Sequence, residues 1–250
     1  MKKRTSGAKI MFVPDTQVKQ GVNTDHLKAL GNYLQEHKMD YVVHIGDHWD
    51  MPSLSTHDTP GSLEYEGRRY ANDINSGIEA LQLIPAQRGV KRIFCMGNHE
   101  NRINRALSND PRLLGCLGTD DLKLKKMGWD EREFLTIVNI EGVRFSHYFV
   151  NPHSRMKASI SGSMDTMLKN LGFSFVMGHA QELKFARHNL PDGTVRQGLV
   201  CGSFYSHDEK YMGVQGNRCH WRGVIQMNEV KDGAYDPCFL SLDYLVKTYL

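Results

Sequence analysis

Side chains that suit metal ligation occur in five separate places along the chain, and most of them directly follow a short apolar run. Two neighbouring divalent ions require one bridging carboxylate, surrounded by further carboxylate, amide and imidazole ligands. The sequence supplies all three types of group, so it predicts a dinuclear metal centre. The candidate ligands are Asp15 and Gln17, Asp47, Asn98, His147, and His179 with Gln181.

The segments between these groups predict the elements that would position them. Short apolar runs alternate with longer helical patterns, which is typical of strands joined by crossover helices. In such a sheet, ligands gather outside the carboxyl ends of the strands. The predicted strands are residues 9–14, 40–45 and 91–96, and the predicted helices are residues 23–37 and 64–87.

The pattern changes after Pro111, where the helix that follows the "GNHE" string is predicted to end. Residues 134–150 predict a hairpin, residues 163–172 a helix and residues 173–177 a buried strand. From Lys184 the chain is predicted to be mostly β, with hairpin turns at "LPDGTV" and "VKDGAY". An α/β half followed by a β-rich half predicts two packed sheets with helices outside.

Composition sets limits on the organisation of the chain. With 250 residues, 40% apolar and 24% charged, it is long enough to bury one sizeable core. We expect residues 1–8 to form a flexible tail and residues 9–250 to form a single domain. The net charge of +3 is too small to indicate a polyanionic partner by itself. Scattered cysteines and the lack of a signal-like or membrane-spanning apolar run predict a soluble cytoplasmic protein with reduced thiols.

The order of the motifs resembles that of the calcineurin-like metallophosphoesterase superfamily, which runs D-x-H, GD-x-x-D or H, GNH-D or E, a lone His, and GH-x-H. Here the corresponding strings are "DTQ", "GDHWD", "GNHE", "FSHYF" and "GHAQ", which together span residues 15–181. The strings "GNHENR", "PSLS", "EGRRY" and "HYF" resemble in particular the small members encoded by bacteriophages and prophages. The resemblance implies a four-layer α-β-β-α sandwich of two packed mixed sheets with flanking helices.

The resemblance also implies a role for each matching residue. Asp47 would bridge two divalent ions, and in-line attack by metal-bound hydroxide would cleave the phosphoester. His99 would serve as proton donor or transition-state stabiliser, with Asp50 holding its other ring nitrogen. The first ion would be held by Asp15, Gln17 and Gln181, and the second by Asn98, His147 and His179.

Two departures from the family pattern fall on the same predicted ion, because Gln17 and Gln181 stand where the family has histidine. Oxygen ligands suit Mn²⁺ or Mg²⁺ better than Zn²⁺, whereas imidazole suits Zn²⁺, Fe²⁺ and Ni²⁺. We therefore expect two divalent ions with a preference for Mn²⁺, and Mg²⁺, Fe²⁺, Ni²⁺ or Zn²⁺ as alternatives. Structural roles without a metal stay open as alternatives. Asp47 and Asn98 also suit turns or helix caps, and His147 also suits a hydrogen-bonded core position.

The substrate is less well defined than the metal centre. Met51-Pro52 and Met96 stand where phosphoprotein phosphatases of the superfamily have arginine, which argues against a phosphoprotein substrate. We expect Arg102 and Asn98 to contact a substrate phosphate, unless Arg102 simply belongs to a solvated helix face. A groove for a nucleic-acid backbone is a further expectation, and its basic residues would be Arg68, Arg69, Lys123, Lys125 and Lys126.

Phosphodiesters of nucleotides or nucleic acid are the substrates that we expect, with no membrane partner and no prediction of oligomeric state. For a phage-encoded protein, the location would be the host cytoplasm. Two alternatives stay open. One is a phosphomonoesterase such as a nucleotidase, and the other is a catalytically weak binding module that keeps the fold.

Overall fold

Two β-sheets lie face to face at the centre of the computed structural model, which describes residues 6–56, 65–154, 158–209 and 212–250. The strands are β1 (Ala8–Val13), β2 (Tyr41–His44), β3 (Lys91–Cys95), β4 (Asp130–Arg132), β5 (Val138–Ile140), β6 (Val143–Phe145), β7 (Phe175–Met177), β8 (Leu183–Asn189), β9 (Val195–Cys201), β10 (Gly223–Lys231) and β11 (Ala234–Ser241). The helices are α1 (Asp25–Glu36), α2 (Tyr70–Leu81), α3 (Arg102–Asn109), α4 (Met164–Leu171), α5 (Gly213–Cys219) and α6 (Leu242–Tyr249).

Both sheets are mixed. The first has the strand order β11-β10-β1-β2-β3-β4, in which β1 to β4 are parallel and β10 is antiparallel to both of its neighbours. The second has the order β5-β6-β7-β9-β8, in which β6, β7 and β9 are parallel. The carboxyl ends of three neighbouring strands in one sheet, and of two in the other, can therefore meet at one edge of the sandwich.

Alternation along β1 shows how the layers are built. Ile10 and Phe12 point into the core between the two sheets, where Phe12 stacks on Phe145 of the second sheet. Met11 and Val13 point the other way, into a core that also contains residues of α1, α2 and α6. Helix α4 covers the outer face of the second sheet, where Met167 packs in a third cluster. The predicted four-layer α-β-β-α arrangement of two mixed sheets is confirmed.

The predicted strands and helices before Pro111 are present, with ends that differ by a few residues. The largest difference is in α2, because the predicted helix 64–87 is helical only over Tyr70–Leu81, and residue 64 lies outside the described residues. Strand β1 begins at Ala8, which places that residue in the sheet. Of the predicted tail, residues 1–5 lie outside the described residues, and residues 6 and 7 precede β1.

Three elements were not predicted from the sequence: β4, α5 and α6. Helix α6 follows directly from β11, in a region that was predicted to be mostly β. The Ser241 hydroxyl accepts a hydrogen bond from the backbone N–H of Tyr244, which caps the start of this helix. Leu242 and Leu245 are buried in the same core as α1, so tertiary packing stabilises a helix of only two turns.

Two further observations concern the whole described chain. Among the described residues, no helix combines the length and the apolar character that crossing a lipid bilayer requires. All five cysteines lie in the described ranges and none of them forms a disulfide.

Candidate metal centre

The candidate ligands lie at the carboxyl ends of parallel strands from both sheets. Asp15, Asp47 and Asn98 follow β1, β2 and β3, whereas His147 and His179 follow β6 and β7. One sheet therefore contributes the carboxylates and the amide, and the facing sheet contributes the two imidazoles. This convergence is the arrangement expected for ligands in an α/β sheet.

Four of these side chains are in direct contact. The Nε2 atom of His147 lies 3.3 Å from Oδ2 of Asp47 and 2.9 Å from Oδ1 of Asn98. The Nδ1 atom of His179 lies 2.8 Å from the same Asn98 oxygen. One ligand atom each from Asp47, His147 and His179 lies within 4.8 Å of the other two, which is close enough for all three to bind one cation. The residue types and their spacing fit a divalent ion.

The outer nitrogen of His147 is also fixed. Its Nδ1–H donates to the backbone carbonyl of Ile45 at 3.0 Å, so Nε2 is the nitrogen that faces the centre. A backbone acceptor at the second ring nitrogen is the usual way in which proteins orient a histidine ligand. The position of His147 therefore suits ligation, although a hydrogen-bonded core histidine would have the same burial.

The residues expected at the other ion adjoin this cluster. The carboxylate of Asp15 accepts from the backbone N–H of His179 at 3.2 Å and from the Gln181 amide at 3.3 Å. The other end of that amide, its oxygen, accepts from the Tyr205 hydroxyl at 2.7 Å. By contrast, the side-chain oxygen of Gln17 is buried and makes no hydrogen bond with any residue that the structure describes. A buried acceptor without a donor fits the coordination of a cation.

The backbone at the centre is strained in several places. Gln17, Asp47, His179 and Gln181 all have positive φ, at 39°, 48°, 65° and 56°. Residues other than glycine rarely adopt this conformation, and in folded proteins such strain concentrates at functional sites. Four of the ten described non-glycine residues with positive φ are candidate ligands, so such strain is concentrated at this centre although it also occurs elsewhere.

The two glycines that precede the metal-facing loops allow a very close approach. A Cβ atom at Gly97 would lie 2.1 Å from Oδ1 of Asp47, and one at Gly46 would lie 2.3 Å from the backbone nitrogen of Gly97. The "GD" and "GN" loops therefore contact each other backbone to backbone. No other residue type fits at either position without moving one of the loops.

The electrostatics of the centre favour positive charge beside Asp47. Burial opposes ionisation of Asp47, but His147 and His99 outweigh it and hold the pKa of the Asp47 carboxyl well below its usual range. Burial also opposes protonation of His147, yet the charge of Asp47 raises the pKa of His147 to about 9. Burial raises the pKa of Asp15 to about 7. An imidazolium thus compensates Asp47 here, and a divalent cation would satisfy the same demand.

His99 and Asp50 lie next to the ligand cluster. The Nδ1–H of His99 donates to the Asp50 backbone carbonyl at 2.8 Å, and Oδ1 of the Asp50 side chain lies 3.2 Å from the same nitrogen. The opposite nitrogen, Nε2, faces the centre at 3.7 Å from Oδ2 of Asp47. Burial opposes protonation of His99, but the neighbouring Asp47 carboxylate raises its pKa above the usual value.

Arg102 is held by the protein rather than exposed on a helix face. One guanidinium nitrogen donates to the backbone carbonyls of Asp50 and Met51, at 2.7 and 3.1 Å. The other lies 3.2 Å from Nε2 of His99. Arg102 is 5% exposed, whereas Arg105, three residues later in α3, is exposed. The expected contact between Arg102 and a substrate phosphate stays a prediction.

Glu100 is a structural residue of the centre to which the sequence motif assigned no role. Its carboxylate is fully buried and accepts four backbone N–H groups, at 2.7 to 3.0 Å. They belong to Gly97 and to three consecutive residues of the other loop, Asp47, His48 and Trp49. The signal available in the sequence was the acidic residue at the end of the "GNHE" string, because the backbone N–H groups of a buried loop need an acceptor.

The remaining basic residues proposed for substrate contact lie around α2 and the segment after α3. Arg68 donates to the backbone carbonyl of Pro52 at 3.0 Å, and Lys125 forms an ion pair with Glu131 at 2.7 Å. Arg69, Lys123 and Lys126 are exposed. None of these contacts shows a groove, so a nucleic-acid path along them stays a prediction.

Comparison with known proteins gives little beyond this geometry. No family model matches the chain, and no curated protein matches it. One similar solved structure is a predicted phosphoesterase from Streptococcus pneumoniae TIGR4, with 11% identity, a TM-score of 0.39 and coverage of 96% of this chain and 92% of that one. Another is Yfce, a phosphoesterase from E. coli, with 12% identity, a TM-score of 0.42 and coverage of 93% and 100%. Both TM-scores are below 0.5, which is too low to assign a fold or an activity.

Proposed function

We propose that this chain is a metal-dependent phosphoesterase of the calcineurin-like superfamily, which hydrolyses phosphodiester bonds in nucleotides or nucleic acid. The observation that carries the proposal is the contact of Asp47 with His147 and, nearby, with His99. One buried carboxylate thus adjoins both a candidate metal ligand and a candidate proton donor. Motif order along the sequence supports the choice of superfamily.

The chain's own residues would divide the work as follows. Bound divalent ions would supply a water that is activated near neutral pH and would offset charge on the phosphoryl oxygens. His99 would give a proton from Nε2 to the leaving oxygen, since this nitrogen faces the centre. Asp50 would keep the ring in that orientation through Nδ1. Arg102, beside Nε2, would stabilise negative charge that develops on the leaving oxygen.

We propose two ions, with Mn²⁺ as the preferred metal. Asp47 would bridge them, with Asn98, His147 and His179 at one ion and Asp15 and Gln17 at the other. Oxygen donors dominate this set, which favours Mn²⁺ or Mg²⁺ over Zn²⁺. Gln181 would bind the first ion only if its side-chain amide flipped so that the oxygen faced the ion. In the structure this oxygen accepts a hydrogen bond from the Tyr205 hydroxyl.

The charges around His99 favour a diester over a monoester. Arg102 lies beside Nε2 of His99, whereas Lys19 donates to the carboxylates of Asp50 and Glu209 and adds no free positive charge for a substrate. A phosphodiester has one negative charge, whereas a monoester near neutral pH has up to two and needs more cationic compensation. The unpaired cysteines support a reducing, cytoplasmic location as part of the same proposal.

Hydrolysis of two chromogenic esters tests the proposal. With added Mn²⁺ we expect turnover of bis-p-nitrophenyl phosphate and much slower turnover of p-nitrophenyl phosphate. The chelator-treated chain and the variant Asp47→Asn, prepared identically, control for contaminating phosphatases and should be inactive. Faster hydrolysis of the monoester would indicate a phosphomonoesterase. Hydrolysis of neither ester with any divalent ion would favour a binding module and would contradict the proposal.

A further inference from the structure

A partly buried chain of charged side chains leads away from the catalytic pair to a distant part of the sequence. The ammonium group of Lys19 donates to Oδ2 of Asp50 at 3.0 Å and to the two carboxylate oxygens of Glu209 at 2.7 and 2.8 Å. An ammonium group has three donors. All three are accounted for by these two carboxylates, so Lys19 is not available to bind a substrate phosphate.

Glu209 is held firmly in its place. It is 5% exposed, and Nε2 of His207 lies 2.8 Å from the carboxylate oxygen that also accepts from Lys19. Its backbone N–H and carbonyl are both bonded to the side chain of Asn217 in α5, at 2.9 and 2.8 Å. Glu209 is therefore a fixed anchor that is 190 residues away from Lys19 in sequence.

The fixed position of Glu209 affects the carboxylate of Asp50 through Lys19, which bonds both side chains. One oxygen of the Asp50 carboxylate lies 3.2 Å from Nδ1 of His99 and shares this nitrogen with the Asp50 backbone carbonyl, at 2.8 Å, and the other oxygen faces Lys19. Because a carboxylate is planar, the direction of one oxygen sets the direction of the other. Burial opposes ionisation of Asp50, but the hydrogen bond with His99 and the charge of Lys19 keep its pKa well below the usual range. Without Lys19, the carboxylates of Asp50 and Glu209 would both lose their shared partner inside the protein.

We propose that Lys19 and Glu209 are positioning residues, which fix the rotation of the Asp50 carboxylate and, through it, the imidazole of His99. The inference rests on the proposed function, since it assigns a purpose to the orientation of His99. It adds to that function a requirement for Glu209 and for helix α5, whose Asn217 bonds the backbone of Glu209. The position of Glu209 is then coupled to the chemistry through Lys19 and Asp50.

Two variants test the inference through catalysis. Lys19→Met removes the charge between the two carboxylates, and Glu209→Gln keeps the shape of the anchor but removes its charge. We expect each to lower kcat for bis-p-nitrophenyl phosphate at least tenfold, with KM and bound metal within about twofold of the parent. Asp208→Asn is the matched control, because its exposed ion pair with Arg222 lies next to Glu209. This variant should retain full activity.

A measurement without turnover separates the inference from the proposed function. In the metal-free chain labelled with ¹⁵N-histidine, the Nδ1–H proton of His99 should resonate further downfield than in Asp50→Asn. Lys19→Met and Glu209→Gln should move this resonance toward its position in Asp50→Asn, whereas Asp208→Asn should leave it unchanged. This result would support the inference even if the parent chain hydrolysed no ester.

Two results would overturn the inference. One is an unchanged His99 resonance in both variants. The other is a loss of kcat that is accompanied by an equal loss of bound metal or by a lower melting temperature, because this would indicate a general structural role. If Lys19→Met does not fold, Glu209→Gln decides alone, since it preserves the volume of the anchor while replacing one acceptor oxygen with an N–H donor.

Discussion

The side-chain oxygen of Gln181 accepts a hydrogen bond from the Tyr205 hydroxyl at 2.7 Å, so it is directed away from the carboxylate of Asp15. The side-chain oxygen of Gln17 is equally buried but has no donor among the described residues. The sequence places both glutamines at positions where the resembling family has a histidine ligand. Their surroundings differ, and this difference leads to a first prediction.

Exchange of each glutamine for histidine should affect metal preference differently. Imidazole favours Zn²⁺ over Mn²⁺, but only if it enters the coordination sphere. We expect Gln17→His to raise the ratio of Zn²⁺ to Mn²⁺ affinity at least tenfold, measured by calorimetric titration of the metal-free chain. Gln181→His should leave the ratio within about threefold. Equal shifts in both variants would mean that the side chain at position 181 also enters the coordination sphere.

Removal of the imidazole of His99 should separate proton transfer from metal binding. We expect His99→Ala to lower kcat by roughly two to four orders of magnitude, because general acid catalysis contributes about that much. Metal content, measured by inductively coupled plasma spectrometry, should stay at the parent value. Loss of both ions in this variant would show that His99 is a ligand and that its proposed role is wrong.

Glu100 should contribute strongly to stability. Glu100→Ala would leave four buried backbone N–H groups without their acceptor, and each such group costs about 1–3 kcal/mol. After relaxation we expect the free energy of unfolding to fall by at least about 3 kcal/mol in denaturant titrations. The control Glu131→Gln, which breaks an ion pair with the exposed Lys125, should cost less than about 1 kcal/mol. A similar loss of unfolding free energy in both variants would argue against this stabilising role of Glu100.

His26 should make the fold sensitive to acid. It lies in α1, is 2% exposed, and packs edge-on against the ring of Phe204. Burial lowers its pKa to about 3, below the value of about 6.5 in an unfolded chain. The unfolded chain therefore binds a proton that the folded protein excludes, and stability falls as the pH drops from about 6.5 toward 3.

Substitution of His26 tests this dependence. Between pH 7.5 and 5, the free energy of unfolding of His26→Phe should fall by about 2 kcal/mol less than that of the parent. His153→Gln, at an exposed histidine, should follow the parent. If His26→Phe and the parent lost stability equally, burial of the neutral ring would not be the cause of the acid sensitivity.

The sequence was informative where local patterns and motif spacing coincide. Short apolar runs at β1 to β3 predicted the strands, and the rule for strand ends then predicted that Asp15, Asp47 and Asn98 would converge. The burial of Arg102 was not predictable, because helical spacing cannot show that the backbone carbonyls of Asp50 and Met51 lie opposite α3. Helix α6 was missed for a similar reason: packing against α1 stabilises it, and a window of eight residues contains no information about that contact.

The partnership of Lys19 with Glu209 shows the same limit more sharply. No local pattern connects residues 190 positions apart, and a lysine beside a predicted ligand is usually taken as a solvated charge. Only the folded chain brings Glu209 close enough to Asp50 for Lys19 to bond both carboxylates. Residues that position the catalytic pair can thus lie outside every recognisable motif.

The backbone contact between Gly46 and Gly97 limits how this centre can be re-engineered. The two loops are in contact at these glycines, so a replacement loop with any side chain at position 46 or 97 would collide with its neighbour. Transfer of this centre to another protein must therefore include both loops together with Glu100, whose carboxylate bonds the backbone of each loop. Variants that aim to change substrate preference are better made in segments outside these two loops, where insertions do not disturb the contact between Gly46 and Gly97.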